Sequence, residues 1–290
     1  MNTLSILTLN AGLLEIDVPL LRTITLVKDK NIRVHAIIDM LKKSTHDVVL
    51  MQEIGGSLLK KIVKNISDVF PYQATHHAWR LFSNNLLILS KLPLKNIKFI
   101  PFKLQTHFES WGIQKGMMCA DVTSGDTTYH LINTHLVASG TSSGDGSPKT
   151  LRVRHAQINQ MKEHINSTYS TDDIVIVGGD FNSGPLTCRE NYDVIVDELY
   201  DVMQHVDEAE RITWNPTNPL VRKSTKSDPH KQLDGFYMHH HHYEHLKGGL
   251  NICRTFMEEV EVTYGKKTHK VMLSDHYGVE MRISHNKNTY

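Results

Sequence analysis

The chain has 290 residues, 40% hydrophobic and 22% charged, and its formal net charge is +1 with histidine neutral. This is the composition of an ordinary globular protein of one large domain or two small ones. The near-balanced charge excludes a broad electrostatic footprint for long nucleic acid, though not a nuclease that holds a short substrate with a local patch and a metal.

Residues 4–10 alternate in hydrophobicity and place Asn10 at a strand end, where the bland reading is a turn. They begin without the basic and apolar regions of a signal peptide, so a cytoplasmic address, or export without a Sec signal, is expected. Residues 31–43 carry Ile32, Ile37, Ile38 and Leu41 at helical spacing. Residues 47–53 read as a buried strand ending in Glu53. A carboxylate directly after core residues is costly to leave unpaired, and a cation would satisfy it. Residues 56–65 read as helix, 85–91 as a strand before Pro93, and 113–122 with 127–133 as a hairpin joined at Ser124-Gly125-Asp126. Its second strand runs into His135. A Gly/Ser/Thr-rich loop over 139–148 precedes a helix over 151–165.

The stretch 172–183 contains four apolar, mostly β-branched residues, then Gly178-Gly179, then Asp180 and Asn182. The apolar run is the pattern of a strand buried on both faces. Residues two apart on an extended segment point the same way, so a carboxylate and a carboxamide would project together from a core strand. Two readings stand beside each other: an Asx turn capping the strand, or part of a site gripping a metal and a phosphate. Beyond it, 189–207 reads as a broken helix, 214–230 as a polar surface loop and 233–238 as a strand carrying Asp234. The histidine run 239–242 reads as an exposed loop or strand end rather than a metal site. Residues 252–262 read as a strand, and Asp275-His276 leads into a final strand over 278–283. Three scattered cysteines, Cys119, Cys188 and Cys253, have neither metal spacing nor a disulfide pattern. No apolar run of about 18 residues is present to cross a membrane.

Strands and helices alternate through the first 180 residues with hairpins mixed in, and neither a repeat nor a linker interrupts them, which predicts a mixed-sheet α/β domain over 1–290. Six predicted strand ends carry Asn10, Glu53, His135, Asp180 with Asn182, Asp234, and Asp275 with His276. Oxygen donors without cysteine suit Mg²⁺, with Mn²⁺ as the alternative, better than a structural zinc. A histidine beside carboxylates suits a general base near neutral pH. Together they point to metal-assisted hydrolysis of a phosphate ester.

In this order the motifs Thr8-Leu9-Asn10, Gln52-Glu53, Asn133-Thr134-His135-Leu136, Gly179-Asp180-Phe181-Asn182, Leu233-Asp234-Gly235-Phe236 and Ser274-Asp275-His276 resemble the endonuclease/exonuclease/phosphatase superfamily, metal-dependent phosphoesterases related to pancreatic deoxyribonuclease. The resemblance implies a four-layer α/β sandwich, two mixed β-sheets face to face with helices on the outside and the site at one end. It implies that Glu53 is the main Mg²⁺ ligand with Asn10 beside it and Asp275 on the metal side. His276 would be the general base, oriented by Asp234. His135 and Asn182 would hold the phosphate oxygens, and Asp180 would position the nucleophile or help protonate the leaving group.

Lys115-Gly116, Thr134-His135-Leu136-Val137-Ala138, Arg152-Val153-Arg154-His155-Ala156-Gln157 and the stretch 212–220 are similar to the neutral sphingomyelinase branch. Two departures are Asp234-Gly235, where that branch has an aspartate-tyrosine pair, and Asn84-Asn85, where a glycine is common. The expected substrate is therefore a phosphodiester, either a phospholipid head group or a nucleic acid. A lipid substrate implies peripheral membrane contact, for which Trp111, Met117, Met118 and residues 99–102 are candidates. A nucleic-acid substrate would use Lys149, Arg152, Arg154, Arg222, Lys223 and Lys226 along the phosphate backbone. No protein partner is indicated. A third reading, a binding module that lost catalysis, is opposed by the intact Asp234, His276 and Glu53.

Overall fold

The computed structural model describes residues 2–16, 24–25, 27–76, 85–107, 113–138, 146–221 and 229–285. The chain begins with β1 (Asn2–Leu13), β2 (Glu15–Ile16), β3 (Ile24–Thr25), α1 (Lys30–Lys43), β4 (Val48–Ile54) and α2 (Gly56–Ile66). Next come β5 (Tyr72–Thr75), β6 (Leu87–Ser90), β7 (Lys95–Pro101), β8 (Gly116–Ser124), β9 (Thr127–His135) and α3 (Pro148–Thr168). Then follow β10 (Ile174–Asp180), α4 (Arg189–Val196), β11 (Leu199–Asp201), β12 (Asp234–His239) and α5 (His240–Leu246). The chain closes with β13 (Leu250–Thr255), β14 (Val260–Tyr264), β15 (Lys267–Val271) and β16 (Gly278–His285).

Two six-stranded sheets run β13-β16-β1-β4-β6-β5 and β11-β12-β10-β9-β8-β7. Both are mixed. In the first, β1 pairs parallel with β4 and antiparallel with β16. In the second, β10 pairs parallel with β9 and antiparallel with β12.

The period of two along each strand sorts side chains into layers. Leu4, Ile6, Val48 and Leu50 of the first sheet meet Leu131, Ile176, Phe236 and Met238 of the second in one buried cluster between the sheets. The alternate residues Leu7, Leu9, Val49 and Met51 face Val34, Ile37, Leu41 and Ile62 of α1 and α2. On the far side, Ile132, Val175 and Val177 face Ile158, Met161 and Ile165 of α3. The result is the expected helix–sheet–sheet–helix stack.

Several boundaries differ from the expectation for identifiable reasons. The helix expected over 151–165 starts earlier, because Ser147 forms a capping box with Thr150 and Pro148 occupies the first turn. The broken helix expected over 189–207 is helical only through α4. Leu199–Asp201 then pairs with β12 as an edge strand, and two 3₁₀ turns follow. The single strand expected over 252–262 is two strands, broken where Phe256 adopts a left-handed φ of 61°. The first belongs to the main sheet and the second to a separate hairpin with β15. The histidine run is not a loop: His239 ends β12, the other three open α5, and His242 is buried.

The stretch 214–230 is not a simple surface loop either, since Asn218 and Leu220 are buried. Of the candidate membrane-contact residues, Met117, Met118 and Phe102 belong to the core, and the candidate phosphate-tracking Arg154 is fully buried. Trp111, Asn84, Arg222, Lys223, Lys226 and loop residues 139–145 lie outside the described residues.

Candidate active site

The inward faces of the two sheets are apolar along most of their length and polar at one end. Asn10 shares the inward parity of Leu4 and Ile6, His135 that of Tyr129 and Leu131, Asp180 that of Ile176, and Asp234 that of Phe236 and Met238. Register reinforces the parity, because Asp180 lies opposite His135 on one side and Asp234 on the other. Strand pairing alone therefore brings three predicted site residues side by side.

Glu53 breaks the rule. Val48 and Leu50 point inward and Val49 and Met51 outward, so Glu53 belongs by parity to the helix side. Its φ of 55° puts a non-glycine residue in the left-handed region, uncommon and costing of order 1 kcal/mol or more. That twist turns the carboxylate back between the sheets, where Oε1 lies 4.0 Å from His135 Nε2. Just before it, Gln52 keeps its parity and donates to Asn133 Oδ1 of the opposite sheet at 2.8 Å. Asn133 donates in turn to the carbonyls of Met51 and Leu87. This buried amide pair ties the two sheets together directly beneath the site.

Asn10 and Asp180 form a second tie. Asn10 Nδ2 donates to Asp180 Oδ2 at 2.9 Å, while Asn10 Oδ1 accepts the Gly12 backbone N–H at 3.0 Å. Asp180 Oδ1 accepts the backbone N–H of Asn182 at 2.9 Å, the Asx turn that the sequence allowed. The same carboxylate faces the site, with Oδ2 3.5 Å from His135 Nε2. Burial raises its pKa, but the histidines around it, His276 above all once His135 is neutral, with the Asn10 hydrogen bond and Lys115, outweigh burial and lower it below the usual range. Asn182 adopts a φ of 50° and its amide donates to the Leu136 carbonyl at 3.0 Å, so its carboxamide is anchored to the His135 loop.

Across the floor, His276 Nδ1 and Asp234 Oδ2 are 2.8 Å apart and both side chains are buried. Burial disfavours the imidazolium, yet Asp234, Asp180 and Asp275 together raise its pKa well above the usual value. Thr213 Oγ1 accepts the backbone N–H groups of Leu233 and Asp234 at 2.9 and 3.0 Å. Trp214 bridges to His276, and Asn218 donates to the Ser274 carbonyl at 3.0 Å. His135 is the opposite case: burial first, then Lys115, pushes its pKa down to about 3, so it is a neutral imidazole.

The arrangement fits a divalent cation. Burial first, then Asp275 and Asp180, raises the Glu53 carboxyl to about 7, and it accepts no hydrogen bond from a described residue. Asp234 Oδ1 is buried without a hydrogen-bond partner among the described residues. Asp180, Asp234 and His276 bring ligand atoms within 4.8 Å of one another. Asp234 Oδ2 and His276 Nδ1 are committed to each other and Asp275 Oδ1 accepts from Ser274 Oγ at 3.2 Å, so the oxygens left over are those of Glu53, Asp234 Oδ1 and Asp275 Oδ2. Hard oxygens of this kind suit Mg²⁺ or Mn²⁺.

Two buried cations stand beside the site: Lys115, read in the sequence only as part of a Lys115-Gly116 motif, and Arg33, which sequence reasoning passed over. Lys115, a buried lysine, donates to the Leu136 carbonyl at 2.6 Å and acts electrostatically on Glu53, His135 and Asp180. Arg33 is completely buried and donates to the carbonyls of Lys28, Ala11 and Leu273 at 2.8 Å each, and also to Gly12. It thereby pins the segment after Asn10 to the segment before Ser274-Asp275-His276. Gly12 lets them meet: a Cβ there would lie 2.6 Å from Asp275 Oδ1. An arginine on an amphipathic helix reads as a solvated charge, and only its place one turn inside α1 hinted otherwise.

A family model described as Endonuclease/Exonuclease/phosphatase family matches residues 7–194. No curated protein matches the sequence. Among solved structures, the chain is similar to sphingomyelinase C from Streptomyces griseocarneus, with 18% identity, a TM-score of 0.72, and coverage of 98% of this chain and 100% of that one. It is similar to a beta toxin mutant from Staphylococcus aureus with bound magnesium ions, at 18% identity and TM-score 0.70, covering 97% and 99%. It is also similar to D. rerio TDP2 complexed with a single-strand DNA product, at 19% identity and TM-score 0.66, covering 98% and 99%. Among the described residues, no helix is long and apolar enough to cross a membrane.

Proposed function

The chain belongs to the endonuclease/exonuclease/phosphatase family, and from that premise we propose that it is a Mg²⁺-dependent phosphodiesterase that cleaves a phospholipid head group of the sphingomyelin kind. On this reading the whole chain is one catalytic domain. The observation that carries the chemistry is the buried Asp234–His276 pair, with Nδ1 tied at 2.8 Å, across a floor from the Glu53 carboxyl, which accepts no hydrogen bond from a described residue. Asp234 holds the imidazole by Nδ1, so that Nε2, once it has lost its own proton as pH rises, takes the proton of the attacking water. His135 stays neutral and offers a hydrogen-bonding nitrogen, rather than a charge, to a non-bridging phosphate oxygen. Asn10 fixes the rotamer of Asp180, so that this ionised carboxylate orients the water or the leaving group. Glu53 and Asp275 would hold a divalent cation, which when bound would supply charge stabilisation to the phosphoryl oxygens.

The lipid reading is supported by the stretch 212–220, whose likeness to neutral sphingomyelinases was visible in sequence. It is packed around the dyad through Thr213, Trp214 and Asn218. The nuclease reading loses Arg154, whose guanidinium is bonded to the Val137 carbonyl and Asn191 inside the protein. The purified protein, with Mg²⁺ or with EDTA, is offered sphingomyelin vesicles, phosphoinositides, single- and double-stranded DNA, and RNA. Mg²⁺-dependent head-group release from sphingomyelin, absent in His276→Ala, is the expected result. Hydrolysis of DNA or RNA with sphingomyelin untouched would replace the lipid reading with a nuclease.

A further inference from the structure

At the end of β12 remote from Asp234, the histidine run makes an arrangement that the phosphoester site does not use. Five residues of extended strand separate Asp234 from His239, roughly 17 Å. There His241 Nε2 lies 3.1 Å from His242 Nε2 and 2.7 Å from the carbonyl oxygen of Thr171, which precedes β10. The two rings are 3.9 Å apart, one exposed and one buried. The Thr171 oxygen can only accept, so His241 Nε2 carries the hydrogen in the metal-free protein. The same Thr171 oxygen also lies against His242, whose Nδ1 is buried with no hydrogen-bond partner among the described residues. With its hydrogen on Nδ1, His242 presents its Nε2 lone pair to the gap. A second lone pair appears there when the His241 hydrogen moves to Nδ1, a tautomer change without net proton release.

We propose that His241 and His242, with the Thr171 carbonyl oxygen, form a site for a borderline divalent transition metal, of which Zn²⁺ is the type. Imidazole nitrogens and one carbonyl suit Zn²⁺, Ni²⁺ or Cu²⁺ and not Mg²⁺. Metal–nitrogen bonds of about 2.0–2.1 Å at a tetrahedral angle put the two nitrogens about 3.3 Å apart, close to the spacing present. His239 is not a ligand in this arrangement, because its ring stacks beside His241 at 5.5 Å. The cation would clip the start of α5 to the turn before β10, a contact 70 residues apart in sequence. It would act as a structural or metal-sensing site independent of the hydrolytic one.

The test is titration of the full chain with zinc chloride in excess Mg²⁺, read by calorimetry and by the midpoint of thermal unfolding. His241→Ala, an exposed change, is expected to weaken zinc binding about tenfold or more and to abolish the zinc-induced rise in midpoint. His240→Ala, in the same run but outside the pair, is expected to leave both unchanged. Equal losses in the two variants would mean that the run binds zinc as an unstructured tag, and would overturn the proposal. So would the absence of zinc binding by the folded wild-type chain, or zinc binding that survives unchanged in urea.

Discussion

Replacing Arg33 with methionine keeps most of the aliphatic stem and removes every donor. The guanidinium serves Lys28, Ala11, Gly12 and Leu273, and three of those residues, Ala11, Gly12 and Leu273, are buried. A buried carbonyl left unpaired costs about 1–3 kcal/mol, so three cost roughly 3–9 kcal/mol. Against this stands relief of a desolvated charge: burial lowers the Arg33 pKa, opposed by Asp275 and then Glu53. A net loss near the lower end, about 3–5 kcal/mol, is expected, a large share of a typical stability of about 5–15 kcal/mol. Arg33→Lys keeps the charge but cannot span all four carbonyls, so it should fall between wild type and methionine. Urea unfolding with Mg²⁺ absent gives the order directly. A methionine variant within about 1 kcal/mol of wild type, with its Mg²⁺ requirement unaltered, would refute the claim that this arginine holds the two site segments together.

His276→Ala should lower turnover by a factor of about 10² to 10⁴ with the fold retained; near-wild-type turnover would remove it as the base. Asp234→Asn should cost a similar factor, and because Asp234 helps raise the His276 pKa, the rising limb of the pH–rate profile should move to lower pH. Glu53→Gln should raise the Mg²⁺ concentration needed for activity, and an unchanged metal titration would strike Glu53 from the ligands. Its carboxyl sits at about 7 folded against 4.5 unfolded. The metal-free fold therefore binds more protons and loses stability as pH rises between those values. Stabilisation by Mg²⁺ should accordingly weaken as pH falls below about 7, and a flat response across that window would contradict the assignment. Gly179→Ala should destabilise by about 3 kcal/mol or more, since its φ is 151° and a Cβ would lie 2.0 Å from the Thr134 carbonyl oxygen; a neutral substitution would mean that β9 and β10 approach less closely.

The inward positions of Asn10, His135, Asp180 and Asp234 were legible because parity is a local property that survives into the sheets. Glu53 was legible only as a residue type, since its direction depends on one left-handed backbone angle that no pattern announces. Leu199–Asp201 was read as helix because three residues are too few for a period, and its strand character comes from pairing with β12. Arg33, Arg154 and Lys115 were invisible as buried residues because charge predicts solvent unless carbonyls converge on it. That convergence comes from segments far apart in sequence: for Arg33, positions 12 and 273.

Asp180 shows how a turn and a site can be one object. Sequence left an Asx turn and a phosphate-gripping centre as alternatives, yet each carboxylate oxygen takes one role. Oδ1 accepts from Asn182 and makes the turn, while Oδ2 accepts from Asn10 of the other sheet and faces His135. The turn alone would leave the carboxylate free to rotate with its strand end, and the cross-sheet bond fixes it against the other sheet. Asn10→Ala separates them. It keeps the Asn182 contact but removes the bond to Oδ2, and one of the influences that keep Asp180 ionised. If Asp180 positions the attacking water, that variant should lose about tenfold or more in kcat while urea unfolding shows a cost of about 1–3 kcal/mol. A loss of stability with kcat intact would leave Asp180 its turn and take away its place in the chemistry.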